Sequence, residues 1–473
     1  MTAHVPDPPA RPMPHPQPGA PSGPGPRPLA VGNRLDPYVE RYAARTRGMA
    51  ASEVRALFAV ASRPEVVSLA GGMPYLRALP LDAVAEAVAR LIIDRGTSAL
   101  QYGSGQGDEG LREQIVTEVL PTVGVHAHPD DIVVTVGSQQ ALDLVTRVFC
   151  DPGDVVVAEA PSYVGALSTF AAYQVEVVHV AMDEEGLLPE ALRDALAAIE
   201  RAGKRAKFLY TIPSYHNPAG VTQGAQRRHD VLNVARAGGL LVLEDDPYGL
   251  LGFDGVVPRA LRADDDEGVI YLGSFSKTFA PGLRVGFAVA PHGVREKLVL
   301  AAEAAVLCPP AYSQLTVSTY LATQPWMEQV KTYRETYRER RDALLGALTQ
   351  MMPAGTSWTR PTGGFYSWVT LPDELDATAM LPRAVTARVA YVPGTGFYSG
   401  WAKTSPEAHS AMRLSYCFPD PDRIREGVRR LAGVIEEELD LRATFGAAAA
   451  AHPVGGPHET NDPLGSSPGP DLA

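Results

Sequence analysis

Lysine is scarce in this chain. Only six of its 42 basic side chains are lysines, in 473 residues, and the rest are arginines. A lysine in a patterned setting is therefore a poor match for routine surface charge. Cysteine is scarcer still. Cys150, Cys308 and Cys417 stand far apart in apolar surroundings, without the paired spacing of a metal or redox motif. They read as buried thiols of a reducing compartment, which sets the expectation of a cytoplasmic protein that uses no metal. No apolar run approaches the roughly 18 residues needed to span a bilayer. Positive charge is also lacking: the formal net charge is −12, which argues against a nucleic-acid surface and predicts a soluble acidic protein.

Apolar residues are plentiful, at 45%, enough for a large domain and a smaller one. Residues 1–30 carry eleven prolines with glycine and alanine between them and no apolar stretch of the kind a secretory signal needs, so a disordered arm is expected there. The tail, residues 444–473, has an alanine run followed by His, Gly, Pro and Ser and is expected to be equally unstructured. Between them the reading is an N-terminal segment over 31–76 that packs with the small domain, a large domain over 77–310 and a small domain over 311–443. The N-terminal segment contains a helix from Arg45 to Ala61 and the turn Gly71-Gly72-Met73-Pro74. In the large domain seven candidate strands alternate with helical stretches such as Asp82–Ile93 and Ala141–Phe149. The small domain starts at a helix, Gln314–Thr323, and ends on the amphipathic Ile424–Leu439. No internal repeat is found.

The patterned lysine is Lys277, in Ser274-Phe275-Ser276-Lys277-Thr278, with Arg284 seven residues on. A lysine that forms a Schiff base with a cofactor aldehyde needs a constrained turn, and a cofactor phosphate needs hydroxyls and a guanidinium nearby. The segment supplies all of them. Upstream, Leu240–Leu243 reads as a buried parallel strand ending in Glu244, Asp245 and Asp246, then Pro247 and Tyr248. Ligands collect beyond such strand ends, and a carboxylate there can keep a pyridine nitrogen protonated. Either Asp245 or Asp246 could serve. Another strand, Lys207–Ile212, leads into His216-Asn217-Pro218-Ala219-Gly220. The strand Asp131–Val136 leads into Gly137, Ser138 and Gln139, where a glycine turn opens a helix whose N-terminal amides suit a phosphate; serine there is also simply a good cap. Ala160-Pro161-Ser162-Tyr163 follows a further strand. Near the C-terminus Arg413 lies in a short strand, a planar cation suited to a carboxylate.

In this order and spacing the motifs resemble the type I fold enzymes that use pyridoxal 5'-phosphate (PLP), the aspartate-aminotransferase superfamily of class I/II, over roughly residues 45–440. The resemblance is strongest to the broad-specificity branch of 2-aminoadipate, kynurenine and aromatic aminotransferases. It implies an α/β fold, with a seven-stranded, mostly parallel sheet between helices in the large domain, its last strand Leu283–Ala290 antiparallel, and a smaller α+β domain. It implies PLP as cofactor, held by Lys277 as an internal aldimine, and a ping-pong transfer of an amino group from an L-amino acid to a 2-oxo acid such as 2-oxoglutarate. The Asp-x-x-Tyr pattern selects Asp245 with Tyr248, the former for the ring nitrogen. Tyr248 and Asn217 fall to the phenolic oxygen and Tyr163 to the ring face. Gly137, Ser138, Gln139, Ser274, Ser276, Arg284 and a neighbouring subunit's Tyr102 fall to the phosphate, which implies a homodimer with shared sites. Arg413, Asn217, Gly72 and Arg55 fall to the substrate. Two departures stand out: Tyr75-Leu76-Arg77 follows the Gly-Gly-Met-Pro turn, and His216 precedes Asn217 where the family often has Gln. Other reactions of the same cofactor, a β-lyase or decarboxylase, remain alternatives, as does a non-enzymatic regulator body.

Overall fold

A computed structural model of the chain describes residue 36 and residues 38–48, 63–372 and 375–451. The chain divides into a short first unit, Met1–Ala44, whose described part includes a 3-10 turn at Val39–Arg41, and a second, Arg45–Ala473. In the second unit a two-residue strand, β1 (Val67–Ser68), precedes the main sheet. That sheet comprises β2 (Ile132–Thr135), β3 (Val155–Ala160), β4 (Glu176–Asp183), β5 (Gly186–Leu187), β6 (Ala206–Thr211), β7 (Leu241–Asp245), β8 (Val269–Ser274) and β9 (Gly286–Val289). Their spatial order is β2-β9-β8-β7-β6-β3-β4-β5. The pairs from β4 through β8 are parallel, and β9 runs antiparallel to both β2 and β8, as expected for that strand. The count is eight rather than seven. The extra strand, β5, is a two-residue hairpin return on β4 that turns through Gly186 at φ 92°, too short to leave an alternating pattern in the sequence.

The strands are apolar on both faces because helices cover both. Val156 and Ala158 of β3 face the helices Ser138–Phe149 and Val164–Ala172, while Val155 and Val157 face Pro189–Arg201 and Ala225–Ala237. A second, antiparallel sheet holds β10 (Ser357–Trp358), β11 (Tyr366–Thr370), β13 (Val392–Pro393) and β14 (Ala411–Ser415) in the order β10-β11-β14-β13, and β12 (Val389–Ala390) pairs with β1. The long helices Trp326–Met351 and Pro421–Ala451 pack beside it.

The last helix runs to Ala451, past the helix end expected at Leu439 and the domain end expected at 443, because the alanines at 447–451 are the strongest helix formers. Of the helix expected over Arg45–Ala61, the described part is a 3-10 turn at Ala44–Gly48 and the rest lies outside the described residues, as does the proline-rich arm.

Candidate active site

The carboxyl ends of β6, β7 and β8 open onto a cavity of about 380 Å³, bordered also by the start of the helix Ser138–Phe149 and by the second sheet. Successive side chains of a strand point to opposite faces, and this separates the two candidate carboxylates. Asp245 lines the cavity. Its Oδ2 accepts from the Tyr210 hydroxyl at 2.9 Å, and its Oδ1 is buried without a partner. Burial pushes its pKa up to about 7; neighbouring Asp246 adds to the rise, and the Tyr210 hydrogen bond and Lys277 oppose it. Asp246 points the other way, accepts from the Tyr271 hydroxyl at 3.1 Å and lines a separate small crevice beside Phe275 and Trp326.

Lys277 lies in the turn after β8, inside the cavity wall. Its Nζ donates to the Gly72 carbonyl at 3.1 Å and stands 5.6 Å above the Phe365 ring. Burial lowers its pKa to about 8; Cys417 and Asp245 act against the shift, and Arg413 and Arg284 with it. The amine can therefore lose its proton near neutral pH, which a nucleophile or a proton carrier must do.

Beside it, hydroxyls and amides converge. Ser138 opens its helix and donates to the Gly273 carbonyl at 3.3 Å, and the Ser274 hydroxyl accepts from the Ser276 amide at 3.1 Å. Arg284 holds a left-handed backbone at φ 55° and aims Nη1 at the Ser276 hydroxyl, 3.4 Å away, and Nη2 at the Val136 carbonyl, 3.3 Å away. Gly137, at φ 73°, cradles that guanidinium; a Cβ there would collide with it. Gln139 borders the cavity, but its amide is spent on Thr169 and Gly165 of the next helix, at 2.8 and 3.1 Å.

On the opposite wall, the Asn217 Oδ1 accepts from Arg413 Nη1 at 2.8 Å, and Arg413 Nη2 donates to the Ala70 carbonyl at 2.8 Å. The guanidinium stacks 4.1 Å from the Tyr366 ring and 5.0 Å from Phe397, with its Nε buried and unpartnered. Tyr163 and Tyr248 complete the lining. Burial raises the Tyr163 phenol to about 12. Tyr102 is 78% exposed and is not part of the cavity wall. Arg55 lies outside the described residues.

Two functional neighbours were not identified from sequence. Tyr210 holds Asp245, and Tyr366 sits between Arg413, the Tyr248 hydroxyl (3.5 Å) and Gly72. Tyr366 explains the glycine: a Cβ on Gly72 would strike the Tyr366 hydroxyl. The signal was present in Gly363-Gly364-Phe365-Tyr366, where an aromatic residue opens β11 directly after a glycine turn.

The residues fit PLP. The orphaned Asp245 oxygen suits a pyridine N–H, the Gly137 cradle with its hydroxyls and guanidinium suits a phosphate, and Lys277 suits an aldehyde.

Similarity to known proteins agrees with this geometry. The sequence profile of the family described as aminotransferase class I and II matches residues 64–431. The aromatic-amino-acid aminotransferase 1 of Thermococcus litoralis is 39% identical over 404 residues, 85% of this chain and 95% of that protein. The structure of Pyrococcus horikoshii kynurenine aminotransferase, in complex with PMP, is similar at a TM-score of 0.80 and 39% identity, over 85% of this chain and 98% of that one. That of the α-aminoadipate aminotransferase of Thermus thermophilus, complexed with N-(5'-phosphopyridoxyl)-L-leucine, is similar at 0.77 and 37% identity, over 85% and 99%.

Proposed function

The chain belongs to the class I and II aminotransferases, and on that premise we propose that it moves the amino group of an L-amino acid to a 2-oxo acid, 2-oxoglutarate among them, in two alternating half-reactions at Lys277. It is a PLP-dependent enzyme; the relatives named as aminotransferases favour amino-group transfer over the lyase, decarboxylase and regulator alternatives. The observation that carries the mechanistic reading is the buried Lys277 amine, able to be neutral near pH 8, set in one cavity with the unpartnered Asp245 oxygen and the Asn217–Arg413 pair.

Bound PLP supplies an aldehyde for the substrate amine and a protonated ring that draws off the electron pair left by the departing α-proton. The chain does the rest. Asp245 keeps the ring nitrogen protonated, and Tyr210 holds Asp245 in place. Tyr163 covers the ring face, and Asn217 and Tyr248 meet the phenolic oxygen. The helix start at Gly137, Ser138 and Gln139, with Ser274, Ser276 and Arg284, receives the phosphate. Arg413 binds the substrate α-carboxylate, with Gly72 leaving room beside it. Lys277 Nζ would hold the cofactor at rest and, once freed, would take the substrate's α-proton and deliver it to the former aldehyde carbon of the cofactor.

Tyr102, exposed and outside the cavity, serves the phosphate of a second copy, so the working unit is a homodimer. We also divide the second unit at about residue 310 into a cofactor-binding and a small domain. Among the described residues no helix is long and apolar enough to cross a membrane.

The described cations that line the cavity, Lys277, Arg284 and Arg413, all have roles. A distal carboxylate therefore needs a further cation, which we assign to Arg55. Isolated half-reactions test both assignments. Leucine, aromatic donors and glutamate should each convert bound PLP to its amine form, and 2-oxoglutarate or pyruvate should reverse it. Arg55→Ala should lower kcat/KM for glutamate and 2-oxoglutarate about 10- to 100-fold, the loss of one charged contact, and leave leucine and aromatic donors unchanged. Equal losses in both classes would make Arg55 structural.

A further inference from the structure

Glu159 and His216 take no part in this chemistry, yet both are about 1% exposed beside it. Glu159 lies near the end of β3, four residues before Tyr163, and His216 directly precedes Asn217. The carboxylate collects three donors: Thr211 Oγ1 at 2.7 Å, the Ile212 amide at 2.9 Å and Gln223 Nε2 at 3.3 Å. His216 Nε2 stands 3.0 Å from its Oε2, off the line of an ideal hydrogen bond. On the other side of the ring Nδ1 accepts from the Ala219 amide at 3.1 Å. That nitrogen therefore carries no proton, and the ring's proton sits on Nε2, facing the carboxylate. The His216 backbone is fixed as well, its amide donating to the Val221 carbonyl at 2.8 Å and its carbonyl accepting from the Gly220 amide at 2.6 Å. The residue presented by this turn is Asn217, whose Oδ1 holds Arg413 Nη1.

We propose that Glu159 and His216 are positioning residues for the substrate carboxylate: the Glu159 carboxylate fixes the imidazole, the imidazole fixes the turn over residues 216–219, and the turn fixes the Asn217 amide that orients Arg413. The proposal rests on the reading of Arg413 as the carboxylate ligand. A guanidinium that is not held in advance must be ordered at each binding event, which costs affinity and leaves the proton transfer at Lys277 alone. Glu159 also accepts from the amide of Ile212, directly after β6, so the same carboxylate joins the strand that leads to Tyr163 to the strand that leads to Asn217.

The test compares His216→Met, His216→Gln and Glu159→Gln in PLP-loaded enzyme. Two quantities are read: KM and kcat for an L-amino acid donor, and, from the absorbance change, Kd for the α-methyl analogue of that donor, which binds but has no α-proton to lose. His216→Met and Glu159→Gln should raise KM and Kd together by about tenfold, with kcat within about twofold of the parent. His216→Gln, which keeps a donor for the carboxylate and an acceptor for the Ala219 amide, should restore both to within about twofold. Unchanged KM and Kd, a loss confined to kcat, or failure of glutamine to rescue would each overturn the proposal. If His216→Met does not fold, Glu159→Gln decides by the same readings. Arg413→Lys, run alongside, separates the two levels. No change in its Kd would sink the reading of Arg413 itself, whereas a raised Kd there with parent values in the other variants would sink the positioning pair alone.

Discussion

Two hollows among the described residues differ in kind, and the larger of them is built like ordinary surface. A groove of about 1090 Å³ runs between the helices Pro189–Arg201 and Ala225–Ala237, nearly three times the volume of the cavity at Lys277. Its lining carries charges of both signs, and two of its cations are paired with carboxylates outside the lining: Lys204 with Glu176, and Arg227 with Asp183 and Glu185. In the smaller cavity polar groups converge from the ends of β6, β7 and β8, from β14 and from a helix start; Asp245, Asn217 and Arg413 are buried, and Asp245 Oδ1 and Arg413 Nε are left unpaired. Unpaired buried polarity is costly to a fold. Such atoms also occur elsewhere, at Asp246 Oδ1 and Arg262 Nε among others, so the mark of a ligand site is their coincidence with the cavity at Lys277, and volume alone carries no such mark.

The largest expected effect that sharpens this contrast compares neighbours on one strand. Asp245→Asn should lower kcat by a factor on the order of 10³, through loss of the carboxylate that keeps the ring nitrogen protonated. Asp246→Asn should cost stability through the Tyr271 contact, about 1–3 kcal/mol, with kcat within about tenfold of the parent. Thermal melts and steady-state rates on both proteins check this, and the reverse ranking would assign the cavity to the wrong carboxylate.

A smaller effect comes from pH. The Lys277 pKa is depressed to about 8 in the cofactor-free cavity, so its neutral form is present above that pH and is lost as pH falls through it. The rate at which cofactor-free enzyme captures PLP should therefore rise about tenfold between pH 7 and 9 and then level off. A rate that climbs without a plateau past pH 10 would mean that the amine is solvated rather than buried.

The smallest effect belongs to the groove. Arg193→Ala and Arg205→Ala, on its rim, should change kcat/KM by less than about twofold and PLP retention not at all. A larger loss in either would break the contrast.

Much of the cavity was legible because its chemistry sits in short local patterns. Lys277 with its serines and Arg284, Asp245 three residues before Tyr248, and Asn217 in its proline turn can each be read within about ten residues. The resemblance implies Asp245 over Asp246, and the alternation of the strand turns Asp245 to the cavity and Asp246 away from it. What escaped depends on contacts between distant segments. Tyr210 reaches Asp245 across a parallel strand pair, and Tyr366 meets Tyr248 from 118 residues away. The Tyr210 contact has no local signature, because a buried tyrosine in a strand reads as core; Tyr366 stands just after a glycine turn, but nothing local tells which residues it meets. The two residues of β5 are below the length at which alternation means anything. The overrun of the last helix to Ala451 was readable in principle, since an alanine run favours helix wherever a helix already leads into it.

The central claim is that the one lysine set among converging polar groups is the residue that carries the cofactor. Borohydride reduction of the PLP-loaded enzyme, followed by digestion and peptide mapping, tests it most directly. The pyridoxyl group should be recovered on Lys277, in the peptide that contains Ser274 and Ser276. Recovery on any of the other five lysines would contradict the account.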